Sequence, residues 1–257
     1  MLSIDRKQYD FLQEALRGAF KQKLAAHVRT HFPRQAAAAG EGGIAGFVEL
    51  ALIRSQRRGH AAEREIALWL NMMLQLGVMF DEDPLLPWRG KLPEISPESD
   101  SFAALNALFD TAESHLEKVA GPKGERLAAA IGRFVQASAQ DLVVQPSQST
   151  EQLVNTMARL YPEKYQSADY PALQAFMQMT IARCLKAGIN VKDRIVLLIL
   201  FDFILGMDAD ANPLFLPALT RDGEDTLADV PLEELLQRMQ ALMQALIQGL
   251  VAPPGGR

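Results

Sequence analysis

Four histidines, one cysteine and the acidic clusters are the residues of this chain whose types and spacing could do chemistry. His27 and His31 stand four apart, a spacing that on a helix can bring two imidazoles to one metal ion. A zinc helix of that kind also carries a glutamate after its first histidine. Here Val28 holds that place and no third ligand is evident, so the pair reads as two polar residues on a helix face. His60-Ala61-Ala62-Glu63 has the form of a residue just past a helix end followed by a capping acid. Cys184 lies in an apolar helical pattern and reads as a buried, inert thiol. Asp202, set among Phe201, Phe203, Ile204 and Leu205, should either point out through a polar gap or pair with a base such as Arg183 or Lys192. The run Asp81-Glu82-Asp83 invites calcium, but a calcium loop needs oxygen ligands at alternate positions over about twelve residues. Pro84, Leu85, Leu86, Pro87 and Trp88 occupy the later ones. Gly40-Glu41-Gly42-Gly43 has no strand before it and no phosphate-loop lysine after it, so it reads as a flexible loop. No GxSxG, phosphate-loop, GxGxxG or CxxC motif is present. No catalytic residue, metal or cofactor is assigned, and the expectation is a binding protein rather than an enzyme. Asp81, Glu82, Asp83 and Trp88 are the candidate partner-binding residues, because Trp is enriched at binding hot spots. The competing reading has Trp88 folded back over the ends of the second and third helices.

The elements that must position these residues are helical. The chain has 257 residues, 49% hydrophobic and 22% charged, with only 7% aromatic. Leu, Ala, Gln and Met are frequent, and all are good helix formers. Leu12, Leu16, Phe20, Leu24 and Val28 recur every four residues and predict one apolar stripe on a first helix from Ser3 or Asp5 to Phe32-Pro33. A second helix carries Ile44, Phe47, Val48, Leu50, Ala51 and Leu52 and stops at Gly59. A third runs from about 62 to 76 and ends at Gly77. After a turn-rich stretch, a fourth helix carries Phe102 to Leu116 and a fifth runs from about 123 to 142. Residues 145–150 read as a linker. A closing helix follows Asp229 as cap and Pro231, with Leu232, Leu235, Leu236, Met239, Leu242, Met243, Leu246 and Ile247 as its apolar face. The most apolar segment, 195–207, is too short to span a bilayer.

The second half resembles the first. At an offset of 129 residues, Phe32-Pro33 falls on Tyr161-Pro162, Gly59 on Gly188, Gly77 on Gly206, Asp81 on Asp210 and Pro84 on Pro213. Phe47, Arg54, Ile66, Leu68 and Leu76 meet Phe176, Arg183, Ile195, Leu197 and Leu205. With Ala39 on Ala168, eleven of the 53 ungapped positions from 32 to 84 are identical. Recurrence at a fixed period predicts an all-α fold of two tandem copies of one helical unit, packed as a pseudo-symmetric bundle. The expected division is 1–144 and 150–257. Gly59, Gly77, Pro84, Gly188, Gly206 and Pro213 are its structural repeat positions. The copies differ where Trp88 meets Pro217, Glu82 meets Ala211 and Asp83 meets Asn212.

The run from Leu76-Gly77 through Phe80-Asp81 to Asp83-Pro84-Leu85-Leu86-Pro87-Trp88, with Ile53-Arg54 to Gly59 and Ala62-Glu63-Arg64-Glu65-Ile66 before it, resembles small helical proteins encoded beside bacterial type VI secretion spike and effector genes. The resemblance covers about residues 10–120. It implies neutralisation of a co-encoded toxin, or loading of an effector by a chaperone or adaptor. A net charge of −5 is no footprint for nucleic acid, and would complement a basic surface such as that of a nuclease. With no apolar signal-type stretch near Met1, the expectation is a cytoplasmic bacterial immunity protein whose partner is a protein toxin or effector, with no nucleic acid and no membrane.

Overall fold

The computed structural model describes residues 6–89, 92, 100–143, 150–221, 223 and 225–250. The expected caps Ser3 and Asp5 lie outside these residues. Among them the chain is all-helical, without a strand. Helix α1 (Arg6–His31) ends where Pro33, lacking an N–H and fixed in φ, begins α2 (Pro33–Arg57). The loop expected at 40–43 lies instead within a helix. Four alanines favour helix there, and Gly40 alone leaves helical geometry, at φ 62°, putting a kink into α2. Helix α3 (Glu63–Leu76) ends at Gly77, which takes φ 106° as C-cap.

Asp100 caps α4 (Ser101–Ala120) by accepting from the N–H groups of Phe102 and Ala103. The expected fifth helix is two. Helix α5 (Glu125–Gln136) stops, and Ser138 opens α6 (Ala139–Leu142) through a reciprocal bond with Asp141. Then follow α7 (Thr150–Leu160), α8 (Pro162–Ser167), α9 (Tyr170–Lys186), α10 (Lys192–Leu205), a 3-10 turn (Ala209–Ala211), α11 (Leu216–Thr220) and α12 (Leu232–Leu250).

The helix boundaries keep a common spacing. Adding 129 to the ends of α2 and α3 gives the start of α8, the end of α9 and both ends of α10. The hydrogen bonds follow the same step: Gly59 N–H to Gln56 and Gly188 N–H to Leu185, and Gly77 N–H to Met73 and Gly206 N–H to Asp202. Asp83 and Asn212 each accept, through Oδ1, the N–H two residues on, at 2.9 Å. Each is an Asx turn.

One buried apolar core holds residues from α1 to α12. Helix α12 packs on α5 and α2, α11 on α2, and α4 on α8. Leu197 is buried; Leu68, its partner in the alignment, lies at the core's edge. Helix α2 is long and apolar enough to cross a membrane by composition, but it kinks at Gly40 and packs on α1, α3, α11 and α12.

Two glycines hold the centre. A Cβ on Gly206 would lie 2.3 Å from the Leu76 carbonyl oxygen and 2.9 Å from Gly77 Cα, and one on Gly77 would lie 2.9 Å from Gly206 Cα. The C-termini of α3 and α10 therefore meet backbone to backbone, a closeness no side chain permits.

Candidate functional site

The acidic turns after α3 and α10 lie beside this glycine contact, and their charges face inward. Asp81 is 2% and Asp83 0% exposed. Asp81 pairs with Arg54 and, at 2.9 Å, with Arg58 Nε; Glu82 accepts from Arg54 at 3.1 Å. After α10 one arginine does the work of two. Arg183 reaches Asp202 at 2.7 Å, Asp208 at 2.6 Å and Asp210 at 2.7 Å. The expected pairing of Asp202 with Arg183 is therefore the one found. Burial, and then the neighbouring Asp210 charge, hold the Asp202 carboxyl well above the ordinary carboxylate range, while Arg183 pulls it back. Burial likewise raises Asp208, which also feels Arg54 and Glu82 from the other turn. The two turns thus form one electrostatic network across the junction.

Of the four candidate partner-binding residues, Asp81 and Asp83 are therefore buried, while Glu82 and Trp88 are only partly so. Asp81 and Asp83 are structural, and Glu82 keeps partial exposure. Trp88 is half-buried. Its Nε1 donates to the Phe80 carbonyl at 2.7 Å and its ring meets Phe80 edge-on. The chain of rings continues through Trp69 to His60. Trp88 is thus folded back onto Phe80, just past the end of α3. The capping acid after His60 is Glu65, not Glu63: its carboxylate accepts from Ala61 and Ala62 N–H at 3.2 Å. Cys184 is buried, and burial pushes its thiol up to about 12, so it is inert near neutral pH. His27 Nε2 donates to Asn71 Oδ1 at 2.8 Å, and its ring lies tilted against that of His31. Among the described residues no cluster of three metal-binding side chains occurs.

Two features carry no sequence signal beyond their parts. The first is a cavity of about 830 Å³ between the α1–α2 junction, the C-terminal ends of α3, α4 and α10, and α5, α8 and α12. Its wall is apolar through Leu116, Ile131, Ile204 and Phe215, with Tyr161, His115, Arg34 and Lys164 as polar groups. Lys164 is 7% exposed, and its Nζ lies 5.6 Å from the Phe203 ring centroid. Burial lowers its ammonium pKa, and the charges of Asp83 and Asp202 raise it.

His115, half-buried on α4, is pushed down to about 4 by burial and by the positive charges of Lys164 and Lys118. The unfolded chain takes up that proton near pH 6.5 and the folded chain only near 4. Stability therefore falls as pH drops through this window, by about 2 kcal/mol once partial solvent contact is allowed for. The raised Asp83, Asp202 and Asp208 work in the opposite direction. They cancel when His115→Asn is compared with the parent chain at each pH. Urea unfolding at pH 7 and pH 4.5 should show a smaller acid loss in His115→Asn, by roughly 1–2 kcal/mol. An equal loss in both proteins would contradict this account of His115.

The second feature is the α1 stripe. Phe20, Leu24 and Val28 are buried, but the stripe continues past the edge of the core: Leu12 is 47% and Leu16 63% exposed, with Phe11 beside them at 74%.

Compared with known proteins, the chain matches no family model, no curated protein and no solved structure.

Proposed function

We propose that this chain is a protein-binding scaffold made of two copies of one helical unit, and that it serves as a cytoplasmic bacterial immunity protein against a co-encoded type VI secretion toxin. The observation that carries the binding role is the overhanging α1 stripe. Leu12 and Leu16, with Phe11 beside them, continue a core-facing row and stay exposed among the described residues. An amphipathic helix presenting anchors at such spacing is a standard ligand for an apolar groove on a partner. The duplication is supported by the 129-residue step in helix ends, caps and the Arg54–Asp81 and Arg183–Asp210 pairs. The secretion setting rests on the resemblance of residues 10–120, and the net charge of −5 suits a basic toxin surface. The second reading, an adaptor that loads an effector onto the secretion spike, uses the same stripe.

The test uses the purified chain and the effector encoded beside it. In Leu12→Ser/Leu16→Ser, affinity should fall at least tenfold, since each anchor loses about 1–2 kcal/mol of burial in the complex. The melting temperature should stay within about 2 °C, because solvent-exposed substitutions rarely change stability by more than ~0.5 kcal/mol. Unchanged affinity would overturn the assignment of the stripe. Co-expression then separates the two jobs. Growth rescued from the toxin supports immunity, whereas persistent toxicity with secretion lost when the chain is deleted supports the adaptor.

A further inference from the structure

We infer that the central cavity is a binding site for a small amphipathic acid: a carboxylate seated on Lys164, with a medium-length acyl body along the apolar wall.

Three observations lead there. The first is charge. The chain holds 31 acids and 26 bases, yet the charged side chains among the described residues of the cavity wall are Arg34 and Lys164, both cationic. A random sample of this surface would have brought carboxylates. The second is the state of Lys164. It is nine-tenths buried. Among the described residues no carboxylate oxygen comes within 4 Å of its Nζ and no side-chain or backbone acceptor hydrogen-bonds to it; its ring contact is with Phe203. Asp83, the nearest charge in influence, accepts the Leu85 N–H through Oδ1, and its buried Oδ2 makes no hydrogen bond to Lys164. Asp83 and Asp202 act on this ammonium only from beyond ion-pair distance, and a carboxylate arriving through the cavity would supply a contact counter-charge and an acceptor. The third is shape and lining. A volume of about 830 Å³ falls within the range of small-molecule pockets, which are mostly apolar with a few polar groups that fix orientation. Leu116, Ile131, Ile204 and Phe215 line the body of the space, and Tyr161 stands one helical turn before Lys164 at the polar end. The inference is independent of the protein-partner reading, because none of Phe11, Leu12 and Leu16 lines the cavity.

The probe is decanoate, used below its micelle concentration, with decanol and decylammonium as neutral and cationic controls. Calorimetry on the full chain should give saturable binding of one decanoate, at least tenfold weaker binding of decanol, and none of decylammonium. Lys164→Met, which keeps the stem and removes the charge, should bind decanoate and decanol alike. Leu116→Trp fills the cavity from α4 and should abolish binding of both, which keeps the test open if Lys164→Met fails to fold. Decanoate and decanol of equal affinity, decanoate binding undiminished in either variant, or no saturable binding of any probe would overturn the proposal.

Discussion

Arg183→Ala is expected to lower the unfolding free energy by about 3–5 kcal/mol, the cost of stripping the partner from a buried charge. Arg183 touches three carboxylates, two of which, Asp202 and Asp210, have side chains 0% and 2% exposed. Removing it leaves them facing one another in a dry environment. Domain stabilities lie at roughly 5–15 kcal/mol, so this one change could leave much of the chain unfolded at 37 °C. Arg183→Lys keeps the charge but cannot address three acids through one planar fork, and should cost roughly 1–2 kcal/mol. Two further outcomes identify the cause. Asp202→Asn placed in the Arg183→Ala background should recover part of the loss, because it deletes a buried charge that has lost its partner. Acid should also help the variant relative to the parent. The Asp202 carboxyl already sits above the ordinary range, so its contribution is fully present below the unfolded pKa and is lost as pH rises through the folded one. Without Arg183 that loss on going from pH 5 to pH 7 becomes larger. A variant that melts like the parent, or that is weakened more by acid than the parent, would contradict the network as described.

Gly206→Ala is expected to cost about 3 kcal/mol or more, from backbone strain and a steric clash together. The residue sits at φ 102°, and its Cβ would fall 2.3 Å from the Leu76 carbonyl oxygen. Backbone cannot swing aside as a side-chain tip does, so the ends of α3 and α10 would have to part. Gly59→Ala separates the two contributions. Gly59 has φ 84° but nothing within 4 Å of the added carbon, so it should cost about 1–2 kcal/mol, the strain alone. Gly77→Ala, with its Cβ 2.9 Å from Gly206 Cα, should resemble Gly206→Ala. Denaturant melts that rank Gly206→Ala no worse than Gly59→Ala would mean the two helix ends are not clamped together.

Much of the scaffold could be read from residue order, for local reasons. A glycine at C′ is a short-range signal, and Gly59, Gly77, Gly188 and Gly206 all take positive φ at helix ends. The four-residue period of α1 and the pairing of Asp202 with Arg183 were equally readable. The misreadings were of two physical kinds. Glycine content hid the helix at 33–40, where four alanines outweigh the single non-helical residue Gly40. Likewise an apolar row through Leu127, Ile131 and Phe134 masked the break at Ser138, although Ser138 and Asp141 carry a capping-box spacing. The others concern partners distant in sequence. Carboxylates such as Asp81 and Asp83 are ordinarily solvated. Nothing adjacent in the chain announces that Arg54, Arg58 and Lys164 await them. The cavity has no sequence signal at all, because its wall comes from eight helices. The overhang of α1 is a statement about what does not cover Leu12 and Leu16, and periodicity tells only that they share a face.

Amide hydrogen exchange on the whole chain, with and without the effector proposed as its partner, examines the overhanging stripe at residue resolution. Free, the α1 amides before Phe20 should exchange fast, since this part of the helix lacks tertiary cover, while those of α10 exchange slowly. With the effector bound, protection should rise most over residues 6–19 and little elsewhere. Protection that appears on another face and leaves residues 6–19 exchanging as before would contradict the stripe as the partner-binding element.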